Sequence, residues 1–470
     1  MKVQEILQRS SKTFGSHTAV IDSAGSLSYT DLHSAAGAVQ ASLSDHRVPP
    51  GSVVGLSLTG AREFLAALFG VLQHDCVAMP ISPQLPESER ERVINETNVS
   101  WSIEADNRGG LIVSQHHVSR PYLARESFPS AAVIRHTSGT TGRSRGVVLS
   151  HMAVLARCKA SQTLLGVTSS DRVLAPLPLP YHFIASALSF LQAGASILDS
   201  AILSPAEMLQ LAVDHGATMV YGSPLQYELL SRAPSSLALP NLRTAISTSA
   251  LLPQSTADLF KRRFGVRLTQ VYGVIEVGLP IWNDSVGCNP ATLGWCKPPY
   301  EARVVRDDAS DAPIGELGEL LVRGPGLFSG YLVGDGAGIP FAEGEWFHTG
   351  DIVSKDESGA LTYRGRKKSI INCGGNKVYP EEVEEVLRKH PAVKHVRVVA
   401  EPHQLLGSLV VAEIILTPQS SSDPAGWRSL CYHHLSGYKV PKEFRIVGEL
   451  PVTGSGKIVR ATGNEGGVSA

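Results

Sequence analysis

Between Thr137 and Gly146 the chain reads T-S-G-T-T-G-R-S-R-G. Hydroxyls, glycines and two arginines in so short a run suit a polyphosphate. Unhindered backbone N–H groups can come close, hydroxyls donate, and guanidinium groups neutralise charge. The loop is not of the G-K-[ST] type, because the sole Gly-Lys pair, Gly456-Lys457, is followed by Ile458. A polar hairpin would use the same residue types, so the loop alone leaves both readings open. Four further segments mix glycine with groups able to do chemistry: Q-V-Y-G-V-I-E from Gln270 to Glu276, W-F-H-T-G-D from Trp346 to Asp351, G-R-K-K-S-I-I-N-C-G-G-N-K-V-Y-P-E-E-V-E from Gly365 to Glu384, and L-P-V-T-G-S-G-K-I-V-R from Leu450 to Arg460. Taken singly, Asp351 reads as a turn residue, Lys457 as a solvated lysine, Tyr272 as core and Glu276 as a surface carboxylate.

The elements that must position these residues follow from hydrophobic periodicity. The first loop lies between strand-like runs at Ala131 to His136 and Val147 to Leu149, and Ser150 is placed to cap a helix from His151. Ser52 to Ser57 reads as a buried strand. Ala61 to Gln73 reads as a helix with Phe64, Leu65, Leu68 and Leu72 on one face, and Val77 to Ile81 as the next strand. That β-α-β order predicts a parallel sheet. The pattern continues with a strand at Val173 to Ala175, a long helical segment to Leu191, a strand at Ala195 to Leu198, a helix at Pro205 to His215 and a strand at Ala217 to Tyr221. After about Ala291 short alternating runs at Ala302 to Val305, Glu319 to Arg323 and Leu361 to Arg364 predict a small β-rich subdomain. From Val378 a compact α+β unit begins. Pro380 opens its helix, Glu381, Glu382, Glu384 and Glu385 favour the positive end, and Val383 and Leu387 form the buried stripe. Strands are expected at His395 to Ala400, Leu409 to Leu416 and Phe444 to Val447, with a helix near Trp427 to Leu435. The fold class is thus α/β: a large N-terminal domain (1–366) of parallel-sheet α/β subdomains plus a small β-rich one, a hinge at 367–369, and a small mobile α+β C-terminal domain (370–470).

Composition sets outer bounds. At 470 residues, 43% hydrophobic and 18% charged, the chain is long enough for about three folding units. A net charge of -1 gives no sign of a nucleic-acid partner. The six cysteines are dispersed and form no C-x-x-C pair, which points to reduced thiols and a cytoplasmic location rather than a disulfide frame or zinc module. No apolar run reaches the roughly 18 residues that a membrane span needs.

The order and spacing of these five segments, from Thr137 to Arg460, resemble the adenylate-forming superfamily of acyl-CoA ligases, peptide-synthetase adenylation domains and luciferases. The run Leu27-Ser28-Tyr29-Thr30-Asp31-Leu32 and the stretch ending Met79-Pro80 extend the resemblance over nearly the whole chain. It implies ATP-dependent activation of a carboxylic acid to acyl-AMP, with transfer of the acyl group to a thiol. On that basis Thr137, Ser138, Gly139, Thr140, Thr141 and Gly142 are expected to cradle the β- and γ-phosphates, and Glu276 to hold Mg²⁺. Asp351, with Arg366 nearby, is expected on the ribose, Tyr272 on adenine, and Ser249 and Ala250 at the purine edge. Lys457 is expected to reach the carboxylate and α-phosphate. Lys368 matches the hinge position and Gly375 the wall of the pantetheine tunnel. His182 is expected beside the acyl pocket, with Tyr221, Gly222, Ser223, Val271 and Gly273, and with Pro224 and Tyr227, in its lining.

Three departures matter. Ser144-Arg145 stands where the family commonly has Pro-Lys. Ile275 stands where Thr is usual, and Ser247-Thr248-Ser249 replaces a Gly-rich turn. A lost hydroxyl to phosphate costs roughly 1.5–3 kcal/mol if nothing replaces it. Amino-acid-activating relatives usually carry Phe-Asp where this chain has Tyr181-His182. With no carboxylate there, an α-amino acid is disfavoured, because its ammonium would lie unneutralised in a pocket. The resemblance therefore implies an acyl- or aryl-CoA ligase. The thiol acceptor is expected to be CoA, with the phosphopantetheine of a carrier protein as the alternative. A weakened relative that only binds nucleotide or acyl ligand is the rival from another class.

Overall fold

The computed structural model describes residues 1–470 except 84, 98, 107–109, 118–126, 138–144, 285–291, 333–337, 343, 404–405 and 452–470. By packing, the chain forms two compact units. One comprises Met1–Ala302 with Val322–Phe347, the other Arg303–Leu321 with His348–Ala470. The second unit therefore reaches further back in the sequence than residue 370. The expected hinge at 367–369 concerns motion rather than packing.

Among its described residues the first unit holds two large sheets. In one, six parallel strands run Thr18–Asp22, Ser196–Asp199, Arg172–Ala175, Met219–Gly222, Thr244–Ser247 and Leu268–Val274, with antiparallel hairpins at both edges. In the other, Ala131–Thr137, Val77–Pro80, Val53–Ser57 and Trp101–Ala105 are parallel neighbours. The helix between two of these strands spans Ala61–Gln73, and Phe64, Leu65, Leu68 and Leu72 are all buried, as the periodicity predicts. Each such side chain contributes about 1.5–3 kcal/mol by leaving water. Ser150 caps the helix His151–Leu165, its Oγ accepting from the Ala153 N–H at 3.1 Å.

The helical segment expected between Ala175 and Leu191 is two pieces, Leu179–His182 and Ala187–Ala193. Pro176, Pro178 and Pro180 explain the difference. They remove three N–H donors in five residues, so the chain leaves its strand extended and makes a single turn.

The second unit contains most of a four-stranded sheet, in the order Glu301–Val305, Leu317–Arg323, Phe347–Lys355, Leu361–Arg366. It also holds a five-stranded sheet built on the long hairpin Val393–His403 and Gly407–Leu416. The helix Pro380–Leu387 begins at its proline and buries Val383 and Leu387 against Trp427, which is fully buried. Glu384 does more than face the helix dipole. It is buried, accepts the Val398 N–H at 2.9 Å and pairs with Arg388 at 2.8 Å, tying helix to sheet. The described cysteines are all free thiols. Among the described residues no helix is long and apolar enough to cross a membrane.

Candidate functional site

The parallel core of the first unit aligns the chemistry-bearing loops. Gly222, Ser247 and Gln270 are register partners on three adjacent strands. The chain leaves each of these strands at its carboxyl end, into Ser223, into Thr248-Ser249-Ala250 and into the turn after Val274. Arg172–Ala175 is the next strand over, and its carboxyl end leads to His182. Side-chain geometry joins the loop after Arg172–Ala175 to the loop after Thr244–Ser247: His182 Nε2 lies 3.5 Å from Ser249 Oγ. Ser249 sits at φ +74°, a conformation most side chains avoid, which turns the chain sharply after its strand. The His182 carbonyl accepts the Ser186 hydroxyl, which closes the one-turn helix. Crevices at the carboxyl ends of parallel strands are the usual ligand sites of α/β folds.

Of the residues expected to line an acyl pocket, Val271 and Tyr221 are buried. Tyr221 packs edge-on to Phe190 with ring centres 6.1 Å apart, and burial raises its phenol pKa. Gly222 abuts Pro176, and Ser223 donates its N–H to Gln226 at 3.0 Å at the start of the helix Pro224–Arg232. Gly273 is exposed, yet a Cβ there would come within 2.2 Å of the Gly278 carbonyl, so the bulge at this point admits only glycine. Tyr227 departs from expectation. It is fully buried, and its hydroxyl donates between the Val220 and Ile246 carbonyls at 2.9 and 2.7 Å, so it belongs to the core and not to a pocket wall.

Tyr272 is half-buried, paired in register with Ile281 across the hairpin. The turn that follows carries Glu276. Its carboxylate accepts the Tyr331 hydroxyl at Oε1, 2.9 Å away, and its carbonyl accepts the Phe328 N–H at 2.8 Å. Among the described residues, Tyr331 is the hydrogen-bond partner of the Glu276 side chain. A half-exposed carboxylate with one oxygen tethered is a hard oxygen donor that fits Mg²⁺, which characteristically takes one or two carboxylates plus substrate phosphates. Beneath the same turn lies Arg157, which the sequence reading passed over. Burial lowers its pKa to about 10, so it stays charged at neutral pH. Arg135 is a second buried guanidinium. It donates to the Tyr181 carbonyl at 2.7 Å and lies 5.7 Å from the Phe183 ring centre, supporting the turn that presents His182.

In the second unit Asp351 and Arg366 face each other across the hairpin of Phe347–Lys355 and Leu361–Arg366. Arg366 Nε is 2.7 Å from Asp351 Oδ1, and its Nη1 donates to the Thr349 carbonyl at 2.9 Å. The carboxylate is buried while the guanidinium is about half exposed. Lys367–Ser369 forms a single 3-10 turn directly after this strand. Lys367 is anchored to Glu319 at 3.0 Å and to Asp307 at 3.4 Å, whereas Lys368 is exposed. Gly374 and Gly375, at φ +57° and +82°, make a two-residue turn between Ile371–Cys373 and Asn376–Val378. Positive φ at both positions is what such a hairpin demands, so turn geometry alone accounts for the glycine pair. A Cβ on Gly375 would meet only open space. Thr137 ends the strand Ala131–Thr137, opposite Arg145. Ser138, Gly139, Thr140, Thr141 and Gly142 lie outside the described residues, as does Lys457.

Residues 7–332 match the family model of the AMP-binding enzyme, and residues 382–457 that of the AMP-binding enzyme C-terminal domain. Sulfoacetate–CoA ligase of Cupriavidus necator is 32% identical over 335 residues, which cover 70% of this chain and 66% of that protein. Feruloyl-CoA synthase of an Amycolatopsis species is 27% identical over 468 residues, 94% of each. The chain spans 18% of the much longer naringenin synthase of Pestalotiopsis fici. ATP-bound MatB from Rhodopseudomonas palustris shares the fold, with a TM-score of 0.84 at 24% identity over 97% of both chains. The family model covers most of the chain and takes in the loops that carry His182, Ser249 and Glu276, so this chain belongs to the AMP-binding enzyme family, within the adenylate-forming superfamily.

Proposed function

We propose that the chain activates a carboxylic acid with ATP, forming acyl-AMP and pyrophosphate, and then passes the acyl group to the thiol of CoA. The observation that carries this reading is the convergence of four carboxyl-end loops on adjacent strands, bringing His182, Ser223, Ser249-Ala250 and Glu276 to the carboxyl ends of one sheet, with Tyr272 near the end of the last strand. In this reading Thr137, Ser138, Gly139, Thr140, Thr141 and Gly142 receive the phosphates, Tyr272 and Ser249-Ala250 the adenine, and Asp351 with Arg366 the ribose. Glu276 would hold Mg²⁺, which when bound would neutralise phosphate charge. Lys457 stabilises the charge that gathers as the carboxylate attacks the α-phosphate. Lys368 serves as the hinge between half-reactions, and the open turn at Gly375 admits the pantetheine arm.

For the acid, Tyr181-His182 brings no carboxylate to pair an ammonium, which disfavours an amino acid and leaves an aryl or a short-to-medium aliphatic acid. The names of relatives that act on feruloyl and sulfoacetyl groups agree with a substrate lacking an α-amino group. The test is a panel of aryl and aliphatic acids assayed for ATP-dependent pyrophosphate release with and without CoA, the products being read by mass spectrometry. Acyl-CoA from at least one acid is expected. Accumulation of acyl-AMP with CoA left free, while a phosphopantetheinylated carrier becomes acylated, would refute CoA as the acceptor. Stabilisation by ATP without pyrophosphate release from any acid would refute the activity.

A further inference from the structure

Arg157 lies on the apolar face of the helix His151–Leu165, among buried Ala153, Val154, Cys158 and Ala160. It is 3% exposed, and its three kinds of nitrogen are each committed to a carbonyl. Nε donates to Gly326 at 2.6 Å, Nη1 to Ile275 at 2.7 Å and Nη2 to Glu276 at 2.7 Å. A buried cation whose hydrogen bonds, among the described residues, go to neutral carbonyls is expensive, and a fold tolerates one chiefly where it serves a site. The surroundings are shaped to admit it. A Cβ on Gly326 would come within 2.8 Å of Arg157 Cγ and 2.9 Å of the Tyr300 hydroxyl, and one on Gly278 within 3.2 Å of the same Cγ. The planar fork fits two successive carbonyls as no lysine could.

We propose that Arg157 is the positioning residue for Glu276: it clamps the carbonyls of Ile275 and Glu276 from below, while Tyr331 steers the carboxylate from above, so that the side chain meets a nucleotide-bound divalent cation already oriented. The inference rests on Glu276 as the metal ligand.

The test uses the full chain, Mn²⁺ as the probe and a non-hydrolysable ATP analogue, with binding followed by electron paramagnetic resonance. Arg157→Lys keeps the charge and loses the fork. It should weaken Mn²⁺ binding to the nucleotide complex by about 10-fold, the range found when groups that orient metal ligands are removed. Nucleotide binding in EDTA should be unchanged, and the loss of adenylation should shrink as Mg²⁺ is raised. Tyr331→Phe should shift Mn²⁺ binding in the same direction by less. Wild-type Mn²⁺ affinity in a folded Arg157→Lys protein would overturn the proposal. If that variant does not fold, Gly326→Ala decides instead, because its methyl group pushes the Arg157 stem while leaving the charge in place, and unchanged Mn²⁺ binding there would equally overturn it. Glu276→Gln separates the two layers. If it too binds Mn²⁺ as the wild type does, the metal assignment of Glu276 fails and the proposal falls with it. If it abolishes Mn²⁺ binding while Arg157→Lys does nothing, only the positioning role is refuted.

Discussion

At the turn after Leu268–Val274 an arginine holds an acidic residue by its main chain, and on the hairpin of Phe347–Lys355 and Leu361–Arg366 an arginine holds one by its carboxylate. Arg157 is buried and spends its donors on carbonyls, and among the described residues the Glu276 side chain is held by one tyrosine hydroxyl. Arg366 is half exposed and stands directly on a buried Asp351. The first arrangement keeps a carboxylate available to a cation. The second holds one fixed against a guanidinium, an arrangement that suits an acceptor for sugar hydroxyls. A third acid completes the series. Asp199 is buried and feels the charges of Asp22 and Glu63, the two acids that Arg62 engages at 2.8 Å and 3.7 Å. Among the described residues no guanidinium pairs with Asp199, and it is pushed up to about 6, first by burial and then by the charges of Asp22 and Glu63.

The largest effect should come from a group in neither arrangement. Lys457→Ala is expected to slow acyl-AMP formation by about 10²–10³-fold, the scale of losing one charge-stabilising donor. It should spare thioester formation from supplied acyl-AMP. Equal losses in separately measured half-reactions would show that the lysine is not specific to adenylation.

Asp351→Ala should break the carboxylate-held arrangement. It is expected to raise the KM for ATP by about 10-fold with a smaller change in kcat, because a ribose contact is made in ground and transition states alike. Steady-state kinetics at saturating acid checks this, and a pure kcat effect would contradict a binding role.

Lys368→Pro follows. It is expected to impair thioester formation more than adenylation, because proline fixes φ and a hinge needs two backbone states. The same change at a position that only joins two strands would leave the ratio of the half-reactions unchanged.

The last expected effect is on stability rather than on catalysis and sharpens the series of acids. A carboxylic acid with a folded-state pKa above its unfolded value keeps a proton that the unfolded chain loses. Its contribution is therefore intact below about pH 4, declines as pH rises, and is lost above about pH 6. Asp199→Asn should remove that loss, stabilising the protein at pH 7.5 by up to about 2–3 kcal/mol and hardly at all at pH 4. Thermal melts across that range provide the check, and a pH-independent difference would mean that Asp199 is paired after all.

Much of this was legible along the chain. The helix Ala61–Gln73 follows from its apolar stripe, and the start of Pro380–Leu387 from a proline followed by acids. Ser150 could be assigned as a cap because a cap bonds within three residues of itself. Arg157 had a weaker signal, an arginine between Val154 and Ala160 on the buried side of an otherwise apolar helix. What it binds could not be read there, since its partners lie 118 to 169 residues away. Tyr227 was misplaced for a related reason. Its neighbour Tyr221 is four residues beyond Ala217 in a strand, whereas Tyr227 is on a helix, and only the packing of that helix on the sheet turns its hydroxyl inward to two carbonyls.

The sequence by itself determined the chemistry on offer: a phosphate-type loop, an acid after a tyrosine and glycine, an aspartate before a basic turn, and a lysine near the end. It also determined the alternation of strand and helix, because side-chain periodicity and local capping act over a few residues. Tertiary structure decided which of these groups meet. The order of strands in the sheet brings His182 to Ser249 across 67 residues, and the register of a hairpin sets Arg366 opposite Asp351. Whether an arginine ends on a carboxylate or on two carbonyls depends on what the fold leaves within reach of its fork once water is gone. That choice is made by long-range packing, where a buried guanidinium must find acceptors somewhere and no local pattern specifies where.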